Sequence, residues 1–238
     1  MLYHFVIQTE EGKIRQDFGW TLREAIEYAN WYNGKNQFDV TYVDEFTRSV
    51  HPHTDDNHII PVGSLEWVKP WWERVNHKEF PSPEYIPEVL QKPEWLGREL
   101  KKVHLNDVQI DKRTWIKSAT VWKGFMSIVN SKNGVPDDTY WVAPEVDFVT
   151  EWRAFVYHNQ LVGLQNYLGD FTVMPNVAVI KEMINAYGNR GAYTLDVGVV
   201  DGNTVIVEVH PFVSCGLYGF DDLVRLPLMI ISGWNELN

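Results

Sequence analysis

Tyr193-Thr-Leu-Asp-Val-Gly-Val-Val-Asp-Gly-Asn-Thr-Val-Ile-Val-Glu-Val-His210 is the stretch on which the fold turns. Two β-branched runs flank Asp201-Gly202, a dipeptide favoured at tight hairpin turns. Register decides its chemistry, because directly opposed residues share a face. A two-residue Asp-Gly turn pairs Val200 with Asn203 and leaves Asp196 and Glu208 on opposite faces. A three-residue Asp-Gly-Asn loop pairs Val200 with Thr204, so that Asp196 faces Glu208 and Thr194 faces His210. Opposed carboxylates are unfavourable unless a cation compensates them, and oxygen donors suit a divalent cation. The expectation is therefore the three-residue loop, with a Mg²⁺ site at Asp196, Glu208 and His210. The plainer reading is a solvated acidic edge.

Upstream of this hairpin the chain alternates mostly as strand. Candidate strands are Thr114–Lys117, Phe125–Val129, Tyr140–Ala143, Val149–Tyr157 and Gln160–Asn166, with a helix over Met174–Ala186. In Val149-Thr-Glu-Trp-Arg-Ala-Phe-Val156, Glu151 and Arg153 share one strand face. A carboxylate can accept two ribose hydroxyls, and a guanidinium can grip a phosphate with two parallel bonds. Lys117 closes one strand, and Lys123-Gly124 follows on a turn. Two fixed ammonium groups beside a flexible turn suit a phosphate chain. Solvated surface cations are the plain alternative.

The N-terminal part has a different rhythm. Tyr3–Ile7, Phe38–Val43 and Ile59–Val62 read as strands around a helix opened by the capping box Thr21-Leu-Arg-Glu24 and closed at Asn33-Gly34. The polar stretch Asn76–Pro93, with four prolines, reads as a linker. A last helix is expected from about Asp221 to Ile231, with Pro227 costing it one hydrogen bond.

Composition narrows the classes. With 21 Lys and Arg against 32 Asp and Glu, the net charge is −11, which argues against a broad nucleic-acid surface. No apolar run nears the roughly 20 residues needed to cross a bilayer. A single cysteine, Cys215, makes no internal disulfide, and a cytoplasmic location is expected. His51-Pro-His-Thr-Asp-Asp-Asn-His58 is a candidate metal loop, or a solvated turn, and as a metal site it would suit a hydrolase. Trp67, Trp71, Trp72 and Trp95 suit either stacking or core packing.

Taken in order, these residues resemble the ATP-grasp superfamily, in the clade marked by one arginine and two lysines that is common in bacteria and their phages. The markers are Trp95-Leu-Gly-Arg98, Trp115-Ile-Lys117, Lys123-Gly-Phe125, Val149–Val156, Leu195-Asp-Val-Gly-Val199, Val207-Glu-Val-His210, Gly216-Leu-Tyr-Gly219 and Gly233-Trp-Asn-Glu236. The resemblance implies an α+β fold with two lobes clasping a nucleotide. Residues 1–75 would form an N-terminal α/β segment, 76–144 the first lobe with its linker, and 145–238 the second lobe. It implies ATP and Mg²⁺ as cofactors. Lys117 and Lys123 would bind phosphates, and Glu145, Val146 and Phe148 would form the adenine hinge. Glu151 would hold the ribose, and Arg153 would face the transferring phosphate. Asp196, Glu208 and His210 would hold the metal, His210 standing where the superfamily usually has asparagine. The implied activity joins a small-molecule or peptide carboxylate, or a protein end, to an amine through an acyl phosphate. The alternative is a nucleotide-binding protein that acts through a partner.

Overall fold

A computed structural model describes residues 3–44, 58–110 and 113–237. The chain divides into two compact units, one of residues 1–80, 191–193 and 211–238, the other of residues 81–190 and 194–210.

In the first unit, β1 (Tyr3–Thr9) lies between β2 (Phe38–Asp44) and β3 (Ile59–Val62), and both pairings are parallel. Parallel neighbours need a crossover, and α1 (Asp17–Tyr32) supplies it between β1 and β2. Leu22, Ala25 and Ile26 of α1 are buried at helical spacing. The helix starts earlier than the capping box suggests. Asp17 is its first residue, and Thr21 lies inside it, its hydroxyl donating to the Asp17 carbonyl at 3.0 Å. A second helix, α2 (Leu65–Asn76), forms where the sequence gives no sign of one, since Pro70 falls within it. It buries Trp67, Trp71 and Trp72, which are therefore packing residues. α5 begins at Leu226 and runs to Asn235. Pro227 sits in its first turn, where the missing N–H has no acceptor to lose, so the expected cost does not arise.

The second unit holds a short helix, α3 (Pro93–Leu96), and two four-stranded sheets. One sheet runs β4 (Lys101–His104), β7 (Thr139–Pro144), β5 (Thr114–Ser118), β6 (Met126–Val129), all antiparallel. Its buried face carries Ile116 and Tyr140 over Leu105. Its other face carries Trp115 and Lys117, which pair across the ladder with Ala143 and Trp141. The other sheet runs β11 (Asn203–Pro211), β10 (Ala192–Val200), β8 (Thr150–Tyr157), β9 (Gln160–Gly169), with α4 (Val177–Tyr187) between β9 and β10 in sequence. β8 and β9 pair with irregularities between Glu151 and Trp152 and between Phe155 and Val156.

The β10–β11 turn corrects an expectation. Only Asp201 and Gly202 separate the strands, with φ of 50° and 78°. Positive φ at both central residues is the two-residue hairpin form, so the three-residue loop is not formed. Such a turn with an unbroken ladder would separate Asp196 from Glu208. The arginine Arg98 donates to the carbonyls of both Ile206, at 2.9 Å, and Val207, at 3.4 Å. Successive carbonyls of a regular strand point to opposite edges. Arg98 thus reaches two carbonyls that a regular strand would turn to opposite edges, and Asp196 and Glu208 remain within electrostatic reach of each other.

Candidate functional site

The charged cluster is built from side chains of β5, β8, β9, β10 and β11 that all lie in the second unit. Its deepest element is a buried ion pair. Arg153 donates through Nε and Nη2 to the two oxygens of Asp196, at 2.8 and 2.7 Å. Both side chains are nearly inaccessible, at 7% and 2% exposure. Burial pushes the Asp196 carboxyl up, opposed by the bonds and charge of Arg153, while the Glu208 charge pushes it further up. Asp196 and Glu208 are thus within electrostatic reach of each other.

Glu208 has two nitrogen-bearing partners. Lys117 Nζ donates to Oε2, and His210 Nε2 lies 2.9 Å from Oε1. Burial alone would raise this carboxyl, but His210 and Lys117 more than offset it and hold Glu208 well below the usual carboxylate range. Glu151 is raised, first by burial and then by Asp196 and Glu208, while the Tyr167 hydroxyl, donating at 2.6 Å, works against this. Three carboxylates thus share one neighbourhood with Lys117 and Arg153.

Several further residues join the cluster that the sequence does not single out. Tyr167 on β9 donates to Glu151, its ring 5.8 Å from the Arg153 guanidinium. Tyr85 comes from the stretch that reads as a linker. Its ring lies 4.7 Å from the Lys117 ammonium and stacks on Trp115 at 5.2 Å. Asp138 accepts from the hydroxyls of Ser118 and Thr120, each at 2.6 Å, and from the Thr139 N–H at 2.7 Å. These bonds fasten the turn that carries Lys123, itself exposed with φ of 52°. Tyr167 sits at the register shift of β9, one residue past the strand expected from the sequence, and Tyr85 sits in irregular chain, so neither carries a local signal.

The residues expected to form the adenine hinge part company. Glu145 makes a bidentate pair with Arg113, which lowers its carboxyl. Phe148 packs where a Cβ on Gly198 would stand, 2.3 Å from a ring carbon, so any side chain at 198 would force the Phe148 ring to move. Val146 is half-buried.

Among the described residues, no group of three His, Cys, Asp or Glu side chains is gathered as a metal site. His210 engages Glu208 instead of standing as a third donor. The oxygens of Asp196 and Glu208 are the hard donors Mg²⁺ takes, so two of the three expected ligands fit in kind. Of the His51–His58 loop, all but His58 lies outside the described residues. Trp95 and Cys215 are buried.

Residues 21–230 match the model of the ATP-grasp domain, family 3 of the clade named for one arginine and two lysines. The chain belongs to this family. No curated protein matches it. Solved ATP-grasp structures share the fold at low identity. D-cycloserine synthetase DcsG has a TM-score of 0.61 at 12% identity, with 99% of this chain and 100% of that one covered. A RimK domain ATP-grasp protein from Sphaerobacter thermophilus DSM 20745 gives 0.57 at 14%, covering 99% and 98%. The D-alanine–D-alanine ligase of Bacillus anthracis complexed with ATP gives 0.54 at 10%, covering 100% and 98%. The α+β ATP-grasp fold expected from the sequence is the fold of this chain.

Proposed function

We propose that this protein is an ATP-dependent carboxylate–amine ligase. The observation that carries the reading is the convergence of Glu151, Asp196 and Glu208 with Lys117 and Arg153 in one largely buried cluster. Family membership and the similarity to ligase structures support it.

In this reading the sheets of residues 101–144 and 150–211 act as the two lobes, parting near Glu145. Lys117 and Lys123 hold the phosphates of ATP. Arg153 faces the transferring phosphoryl group, Glu151 takes the ribose, and the 145–148 segment with Val146 and Phe148 meets adenine. The ion pairs of the nucleotide-free site then exchange partners. Lys117 and Arg153 turn from their carboxylates to phosphate oxygens, and Asp196 and Glu208 become available to Mg²⁺. The metal, when bound, supplies charge neutralisation across the phosphates. His210 orients Glu208 through the contact at 2.9 Å.

The chemistry asks the protein mainly to position and to neutralise. A substrate carboxylate oxygen bonds the γ-phosphorus as the β–γ bridging bond breaks, and ADP departs. The amine nitrogen then bonds the acyl carbon, the carbon–oxygen bond to phosphate breaks, and the amine loses a proton to solvent. Orthophosphate leaves with one oxygen of the original carboxylate. A screen of amino acids and peptides with ¹⁸O-labelled carboxylates tests this. Label must appear in orthophosphate, one atom per turnover; ADP formation without transfer of label overturns the ligase reading.

A second reading is a nucleotide-binding protein without ligase turnover. The occupation of both Glu208 oxygens by Lys117 and His210 favours it. ATP binding that is indifferent to Mg²⁺, with no ADP formed, would select it.

A further inference from the structure

The stretch preceding α3 reads as a linker in the sequence, yet it touches the site at both lysine-bearing elements. The Tyr85 ring lies 4.7 Å from Lys117 Nζ, close enough for a cation–π contact. The same ring stacks on Trp115, two residues along β5, and stands 6.2 Å from Trp141. The Tyr85 hydroxyl accepts from Arg98 at 3.1 Å. Its backbone carbonyl accepts from the Val209 N–H at 3.0 Å, so one residue joins β5 to β11 between Glu208 and His210. Four residues earlier, the Pro81 carbonyl accepts the Trp122 indole N–H at 2.6 Å, and Trp122 immediately precedes Lys123. The Trp122 ring in turn lies 6.1 Å from His210.

We infer that the Pro81–Tyr85 segment is a strut that positions the two lysines, with Tyr85 as the positioning residue for Lys117. The inference rests on the proposed role of the lysines in binding ATP. A lysine side chain carries about 2 kcal/mol of rotamer entropy, much of it lost when a ligand fixes it. A ring that already restrains the ammonium leaves less to lose on binding. Tyr85 is buried, so it acts through Lys117 and has no contact of its own to offer a nucleotide.

ATP titration of wild type, Tyr85→Phe, Tyr85→Leu, Lys117→Ala and the Tyr85→Leu/Lys117→Ala double variant tests the strut. Tyr85→Phe keeps the ring and is expected to keep most of the affinity. Tyr85→Leu is expected to weaken ATP about tenfold, and to weaken it no further once Lys117 is gone. A full additional loss in the double variant, or equal losses for Phe and Leu, overturns the inference. Failure of the wild type to bind ATP would instead sink the proposed function. Acetic anhydride labelling read by mass spectrometry then decides the strut alone: Lys117 is expected to be slow to acylate in wild type and Tyr85→Phe, and fast in Tyr85→Leu. Equal labelling in all three overturns it.

Discussion

The cluster's behaviour is set by how each charge is compensated. Arg153 and Asp196 are buried together, so removing one strands the other without water. Arg153→Ala is expected to destabilise the protein by about 3–5 kcal/mol, as breaking buried pairs does. Urea unfolding measures it, and a loss under about 1 kcal/mol would mean the pair is solvated. Glu208 sits below its unfolded value, which lies near 4.3 for an ordinary glutamate. Its pairing therefore contributes stability that is fully present above that value and lost as pH falls through the folded one. Glu208→Gln is expected to flatten the acid limb of the stability curve below about pH 4.3; an unchanged limb would assign acid unfolding elsewhere. The sequence made these residue types legible as a constellation. It could not show that Arg153 holds Asp196 or that Lys117 holds Glu208, since those partners lie far apart along the chain.

At the scale of elements, regular alternation made the strands readable. β5, β8 and β10 each begin within one residue of their expected start. α2 was hidden by Pro70, and β4 by its exposed lysines. The hairpin shows a subtler limit. Turn chemistry is local, and Asp201-Gly202 adopts the form its residues favour. The turn alone does not bring Asp196 and Glu208 within electrostatic reach of each other, and β11 also carries bonds from Arg98, over 100 residues away in sequence. Gly202→Val is expected to cost about 1–2 kcal/mol, because φ of 78° crowds a Cβ. A neutral effect on the urea midpoint would contradict the turn assignment. Likewise, Asp138→Ala frees the Ser118 and Thr120 hydroxyls at the Lys123 turn, and the Thr139 N–H of β7, and is expected to weaken ATP without unfolding the chain. Undiminished affinity would make that fastening incidental to binding.

For the molecule as a whole, the acidic balance of −11 and the local cations answer different questions. The net charge disfavours long polyanions, while a few fixed ammonium and guanidinium groups suffice for one triphosphate. The return of residues 211–238 to the first unit was not legible, since it rests on packing of Leu226, Met229 and Trp234 and not on a local pattern. A ligand that binds only the folded chain must raise its stability, by about 2.7 kcal/mol at one hundred times the dissociation constant. The most direct test of the central claim is calorimetric titration of ATP with Mg²⁺ into wild type and Lys117→Ala. Saturable binding by the wild type, weakened at least about tenfold in the variant, is the expected result, in line with loss of one charge-assisted contact. Equal binding by both proteins, or none by the wild type, would contradict it.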